Sequence, residues 1–222
     1  TPLCLAAPVA VQPVDGGFAV RTEVYSAKVD PSGALVSLVI GGTEFMAPAT
    51  EIHWAGEKRV ASGVYACPMN QWYLPYSLPG GAKPAEGAVA FDGHGWQLQY
   101  TFLNDAIDIT YGGAPDEGRS FRAGYPPTEL VLSLAHDLDR ACDPENQGEL
   151  GWPVKRKHEP GNFAVLAKNG AGFTAENASW FTAVEHKGAI PAAPHRLDLL
   201  IFNTYDQTPK PITHRLKIFA RA

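Results

Sequence analysis

Apolar and polar residues alternate with a period of two over much of this chain. Trp96, Leu98, Tyr100 and Phe102 are separated by Gln97, Gln99 and Thr101, and Ile107, Ile109 and Tyr111 by Asp108 and Thr110. A β-strand points successive side chains to opposite faces, so each of these segments carries one apolar and one wet face. A helix, with its period of 3.6, would scatter the same residues around its axis. Further strands are expected at 18–29, 34–40, 51–54, 59–66, 129–135, 163–168, 172–176, 180–186, 196–203 and 213–220. Leu197 to Phe202 is apolar on both faces apart from Asp198, which predicts a central strand covered on both sides. No window of a dozen residues shows capped helical periodicity. The fold class is therefore all-β with few or no helices.

Turn residues separate these segments. Asp15-Gly16-Gly17, Asp30-Pro31-Ser32-Gly33, Gly41-Gly42, Gly80-Gly81, Gly112-Gly113 and Asn169-Gly170 recur along the chain. Phe91-Asp92-Gly93-His94-Gly95-Trp96 makes 88–103 a predicted hairpin. The chain holds 22 Gly and 19 Pro, a usage that favours turns over long helices. Short strands at this spacing predict an antiparallel sandwich. The stretches 67–87 and 136–162 lack strand character and read as long loops, which in compact domains tend to carry function. No composition break divides the chain, so one domain over 1–222 is expected, with residues 1–12 a flexible N-terminal segment.

The net charge is −5, and the one dense basic cluster is Lys155-Arg156-Lys157-His158. Nucleic-acid binders usually show a basic face, so no nucleic-acid partner is expected. No apolar run is long enough to span a bilayer as a helix. Three cysteines leave at least one unpaired within the chain. Cys67 and Cys142 either form a disulfide, if the protein is exported, or remain buried free thiols that act as small hydrophobes. The chain begins at Thr1, and a secreted or periplasmic mature form is the expectation. Asn177-Ala178-Ser179 fits the glycosylation pattern. The oligomeric state is left open.

Residues 18–46 run Phe18-Ala19-Val20, Tyr25-Ser26-Ala27-Lys28-Val29, Asp30-Pro31-Ser32-Gly33, Leu35-Val36-Ser37-Leu38 and Gly41-Gly42-Thr43-Glu44-Phe45. This strand–turn–strand–turn series resembles the opening hairpins of galactose-mutarotase-like supersandwich domains. Such domains form aldose epimerases and parts of polysaccharide lyases and glycoside hydrolases. The resemblance implies a large antiparallel sandwich whose concave face holds a carbohydrate. Aldose epimerases use a His acid and a Glu base, with an Asn-His dipeptide at the first histidine. This chain has no Asn-His dipeptide, so no epimerase catalytic residue is carried over.

Two constellations suit a sugar. Asn70, Trp72, Tyr73 and Tyr76 set flat aromatic rings beside amides, which fits the apolar faces and polar rims of pyranoses; alternatively these rings cap the core. Trp152, Lys155, Arg156, His158 and Glu159 set cations beside a histidine and a carboxylate. Arg forks onto carboxylates, and neighbouring cations disfavour a protonated histidine, which suits a neutral base. Arg156 could then neutralise a uronate and His158 take its C5 proton, with Tyr73, Tyr76 or Tyr125 as the acid. The alternative is a solvated strand with exposed cations. Asp137, Asp139, Asp143, Glu145 and Asn146 lack EF-hand spacing, so no metal is expected, and no cofactor motif is present.

Carbohydrate recognition without catalysis is the leading functional expectation, with a carbohydrate, acidic or neutral, as partner. A uronate polysaccharide lyase or an epimerase-like isomerase comes second, and a structural or protein-interaction domain third.

Overall fold

The computed structural model describes residues 9–48, 50–54, 57–61, 63–68, 81–93, 96–113, 128–135, 138–142, 154–156, 161–184, 196–202 and 211–220. They form nineteen strands and, among the described residues, no helix. All strand pairs are antiparallel. Seventeen strands share one hydrogen-bonded network, and β6 (Thr50–Trp54) with β7 (Glu57–Ala61) forms a separate hairpin.

The network forks at one long strand, β17 (Gly172–Val184). Along one of its edges, residues 172–175 pair with β19 (Ile212–Phe219) and residues 178–184 with β18 (Arg196–Phe202). Its other edge takes β16 (Gly161–Leu166) and β15 (Val154–Arg156), and β14 (Asp139–Cys142) lies beyond β16. From β19 one leaf runs through β12 (Ala106–Gly113), β11 (Trp96–Phe102) and β10 (Ala88–Gly93) to β9 (Ala82–Ala85). From β18 the other runs through β13 (Thr128–Leu134), β8 (Val64–Pro68) and β4 (Leu35–Ile40) to β3 (Tyr25–Val29), β2 (Gly17–Arg21) and β1 (Val11–Val14). A short β5 (Thr43–Glu44) pairs with β4.

The two leaves pack face to face through their apolar halves. In β11, Leu98, Tyr100 and Phe102 are no more than 2% exposed, whereas Gln97 and Gln99 face solvent. Phe18 of β2 meets Phe91 of β10 edge-on at 6.3 Å, and Phe45 meets Phe173 of β17 at 5.8 Å. Two tyrosines cross between leaves. The Tyr25 hydroxyl reaches the Leu103 and Ala106 carbonyls at 2.8 and 3.1 Å, and the Tyr100 hydroxyl the Gly33 carbonyl at 2.8 Å. Burial of apolar surface supplies the driving force, and the Tyr100 hydroxyl gives the buried Gly33 carbonyl a donor.

Several sequence expectations are corrected. The strand expected at 18–29 is two, broken where the Thr22 hydroxyl accepts from the amides of Val24 and Tyr25, a local bond that competes with the ladder. The strand expected at 59–66 breaks at Gly63, whose φ is +54°. Conversely, 172–176 and 180–186 belong to the single β17, because Ala175 and Ala178 are each paired on both edges and carry the strand through Glu176 and Asn177, where the β16 register shifts. Asn177 therefore sits mid-strand, not in a loop. The supposed loops contain β9, β14 and β15. These are short, and β9 is an edge strand in which Pro84 is tolerated. Gly112 and Gly113 end β12 and make no turn. Val9 is buried and Val11 and Gln12 pair in β1, inside the stretch expected to be flexible. β18 is central as expected, paired on both edges with Leu200 and Phe202 fully buried.

Candidate functional site

The wet face of the β9–β12–β19 leaf is organised by strand register. Lys83, Ala90, Gln99, Thr110 and Thr213 are opposite one another across five strands. One flanking row holds Asp92, Gln97 and Gly112, and the other holds Thr101, Asp108 and Arg215. Alternation turns all of these away from the core. Over the β9 to β12 part of the first two rows lies a groove of about 320 Å³ lined by Lys83, Asp92, Gln97, Gln99 and Thr110. Ala90, Gly112 and Pro211 also line it, and small residues there leave room for a ligand to approach the backbone. A β-carbon at Gly112 would lie 2.8 Å from the Pro211 Cα. Only glycine lets the segment entering β19 close that end of the groove.

The face is polar, and the cations of these three rows are paired. Lys83 pairs with Asp92. Arg215 forks onto Asp108, Nε to Oδ1 at 2.6 Å and Nη2 to Oδ2 at 2.7 Å, and this hydrogen bond raises the already high Arg215 pKa. The Thr110 and Thr213 hydroxyls are 2.7 Å apart, and the Gln99 amide donates to Thr101 at 3.2 Å. Paired amides and hydroxyls of this kind can both donate to and accept from a polyol.

Behind this face, on the core side, lies His214. It is 8% exposed and stacks between Tyr111 at 5.7 Å and Phe202 at 4.4 Å, measured between ring centroids. Burial lowers its pKa from 6.5 to about 4, so the ring is neutral at neutral pH. The Tyr111 hydroxyl is 3.5 Å from Nε2, at the long limit for a hydrogen bond. This histidine fills the core where β18 and β19 diverge, with the sheet between it and the groove.

Of the residues singled out by sequence, Asn70, Trp72, Tyr73, Tyr76, Trp152, His158 and Glu159 lie outside the described residues. Lys155 and Arg156 are successive positions of β15, opposite Thr182 and Phe181. Through Phe181 and Leu199, Arg156 shares a cross-strand row with Ser133 of β13. Cys67 on β8 is opposite Glu129, and Cys142 on β14 is opposite Phe163, with β13, β18, β17 and β16 paired in between. Among the described residues, no group of three or more His, Cys, Asp or Glu is placed to hold a metal ion. The groove residues were not singled out by sequence. Their signal was present in the polar half of the 96–111 alternation, but a wet strand face gives no sign of which wet face is grooved.

No protein-family model matches the chain, and no curated protein sequence matches it. Solved structures do. A protein assigned as an aldose 1-epimerase, from Escherichia coli K12, superposes with a TM-score of 0.52 at 8% identity, over 95% of this chain and 98% of that one. A heparan sulfate lyase mutant from Pedobacter heparinus gives a TM-score of 0.42 at 7% identity, over all of this chain and 36% of the lyase. The likeness to the first is one of fold. The chain shares the all-β fold of that structure, a fold of the kind that the resemblance at residues 18–46 implies.

Proposed function

We propose that this chain recognises carbohydrate, and that the groove across β9 to β12 is where it does so. The observation that carries this reading is the register row of amide, hydroxyl and small side chains on a mutarotase-like fold. Such groups match the dense hydroxyls of a sugar, and small side chains at the floor let the ring approach the sheet. Neither charged group lining the groove is solitary, since Lys83 and Asp92 neutralise each other. The reading is therefore of binding without turnover.

A second reading, a carbohydrate-active enzyme, draws on one observation. β15 places Arg156 in one register row with Ser133 of β13, on strands away from the groove. The interaction-domain reading finds little support. Among the described residues the exposed large apolar side chains are Val14 and Leu103, and two of the edge strands, β1 and β9, carry Pro13 and Pro84, which disfavour strand addition.

A glycan panel, read for binding and for the ultraviolet absorbance of an unsaturated uronate product, separates these readings. Binding without absorbance, weakened about tenfold by Gln99→Ala, is the expected result. Binding that survives Gln99→Ala and is lost in Trp72→Ala would move the site to the 70–76 segment. Absorbance that vanishes in His158→Ala would establish the lyase.

A further inference from the structure

The row Lys83, Ala90, Gln99, Thr110 and Thr213 runs at right angles to the strands, one residue per strand. Neighbouring strands lie about 4.8 Å apart, so the row spans roughly 19 Å with a small or polar side chain at every step. An extended β-linked pyranose chain advances by a similar length per sugar. The adjacent Thr101, Asp108 and Arg215 repeat the interval.

Charge narrows the class of chain. Arg215 is already forked onto Asp108, and Lys83 is already paired with Asp92. A uronate or sulfate would meet cations whose charge a carboxylate already offsets, and would sit beside that carboxylate. An uncharged sugar leaves both pairs intact and meets amides and hydroxyls between them.

We propose that the ligand of this face is an extended, uncharged, β-linked polysaccharide lying across β9 to β12 and β19, one sugar to a strand. This rests on the reading of the groove as a carbohydrate site. Length matters because the groove holds no exposed aromatic platform: Phe91 and Tyr111, which line it, are 1% and 3% exposed. A single sugar would exchange hydrogen bonds with water for hydrogen bonds with exposed side chains, at small net gain. That gain does not offset the lost rigid-body freedom of association. Sugars linked in one chain lose that freedom once, and each later contact is intramolecular.

The test is calorimetric titration of the full chain with β-1,4-linked gluco-, xylo- and manno-oligosaccharides, from monosaccharide to hexasaccharide, and with mannuronate oligomers of matched length. In at least one neutral series, affinity should rise about tenfold or more from disaccharide to tetrasaccharide and level off near the pentasaccharide. Mannuronate should bind more weakly at every length. Gln99→Ala and Thr110→Ala should flatten the length dependence at unchanged melting temperature. Binding that ignores length, tighter binding of mannuronate, or no binding by any neutral series overturns the proposal. The first two of these outcomes leave carbohydrate recognition standing. Silence that extends to a panel of branched and substituted glycans removes that reading as well.

Discussion

The Tyr100 hydroxyl donates to the Gly33 carbonyl at 2.8 Å across 67 residues of sequence, tying β11 of one leaf to the turn between β3 and β4 of the other. Tyr100 is fully buried, and burial raises its pKa well above the usual phenol value, so it remains a donor at any working pH. Tyr100→Phe keeps the ring and strands the Gly33 carbonyl in the interior. Loss of a buried bond of this kind costs on the order of 2 kcal/mol. In a chain this long, the melting temperature should fall by roughly 4–8 °C, which differential scanning calorimetry would read directly. A shift below a degree would mean that water replaces the hydroxyl.

His214 should make stability depend on acidity. Its folded pKa lies near 4 and its unfolded value near 6.5, so the unfolded chain binds the proton first as pH falls. The stabilisation is complete above 6.5, declines between 6.5 and about 4, and is level below. Converted by linkage, the loss is on the order of 3 kcal/mol. Chemical denaturation at stepped pH should show this decline in the wild type, and His214→Leu should remove that part of it. A mutant profile parallel to the wild type would place the titration elsewhere.

Gly63 joins the leaf at its weakest seam. Leu35 opposite Val64 is the one register pair between β4 and β8, and Gly63 beside it adopts φ +54°. A β-carbon there would fall 1.6 Å from the Leu35 carbonyl oxygen, backbone that cannot step aside. Gly63→Ala should therefore cost more than about 3 kcal/mol through strain and a broken seam. Its urea midpoint, compared with that of Gly16→Ala, checks this. Gly16 also has a positive φ, but nothing lies within 4 Å of its added carbon, so its loss should be smaller.

Groove substitutions should separate binding from folding. Gln99 is exposed, and its amide bonds only to the partly exposed Thr101 among the bonds described. Gln99→Ala should change unfolding free energy by less than about 0.5 kcal/mol while weakening ligand binding. A large drop in melting temperature would show Gln99 to be part of the scaffold.

Inward and outward sides were legible from the 96–111 segment because alternation depends only on neighbours two residues apart. Leu98, Tyr100 and Phe102 are buried, and Gln97 and Gln99 are not, as that pattern requires. The turns at Asp30–Gly33 and Asn169–Gly170 were equally legible, since Gly33 and Gly170 take positive φ. The split at Thr22 was not, because a threonine hydroxyl bonding its own backbone looks like any strand threonine in sequence. Nor was the continuity of β17 through Glu176 and Asn177. Those polar residues suggest a break, and the strand runs through them because Ala175 and Ala178 on either side are paired on both edges. The candidate groove was half legible: its residue types were visible, its location was not.

The sequence by itself determined an all-β chain, the two faces of its strands and many of its turns, because these follow from local sterics and side-chain polarity. The tertiary structure decided that β18 and β19 share one edge of β17 and then part, which makes two leaves from one network. It also decided that Lys83, Gln99 and Thr213, up to 130 residues apart by numbering, stand in one row. Register between distant strands is set by burying one face of each against the same core, a condition that no local stretch of the chain contains.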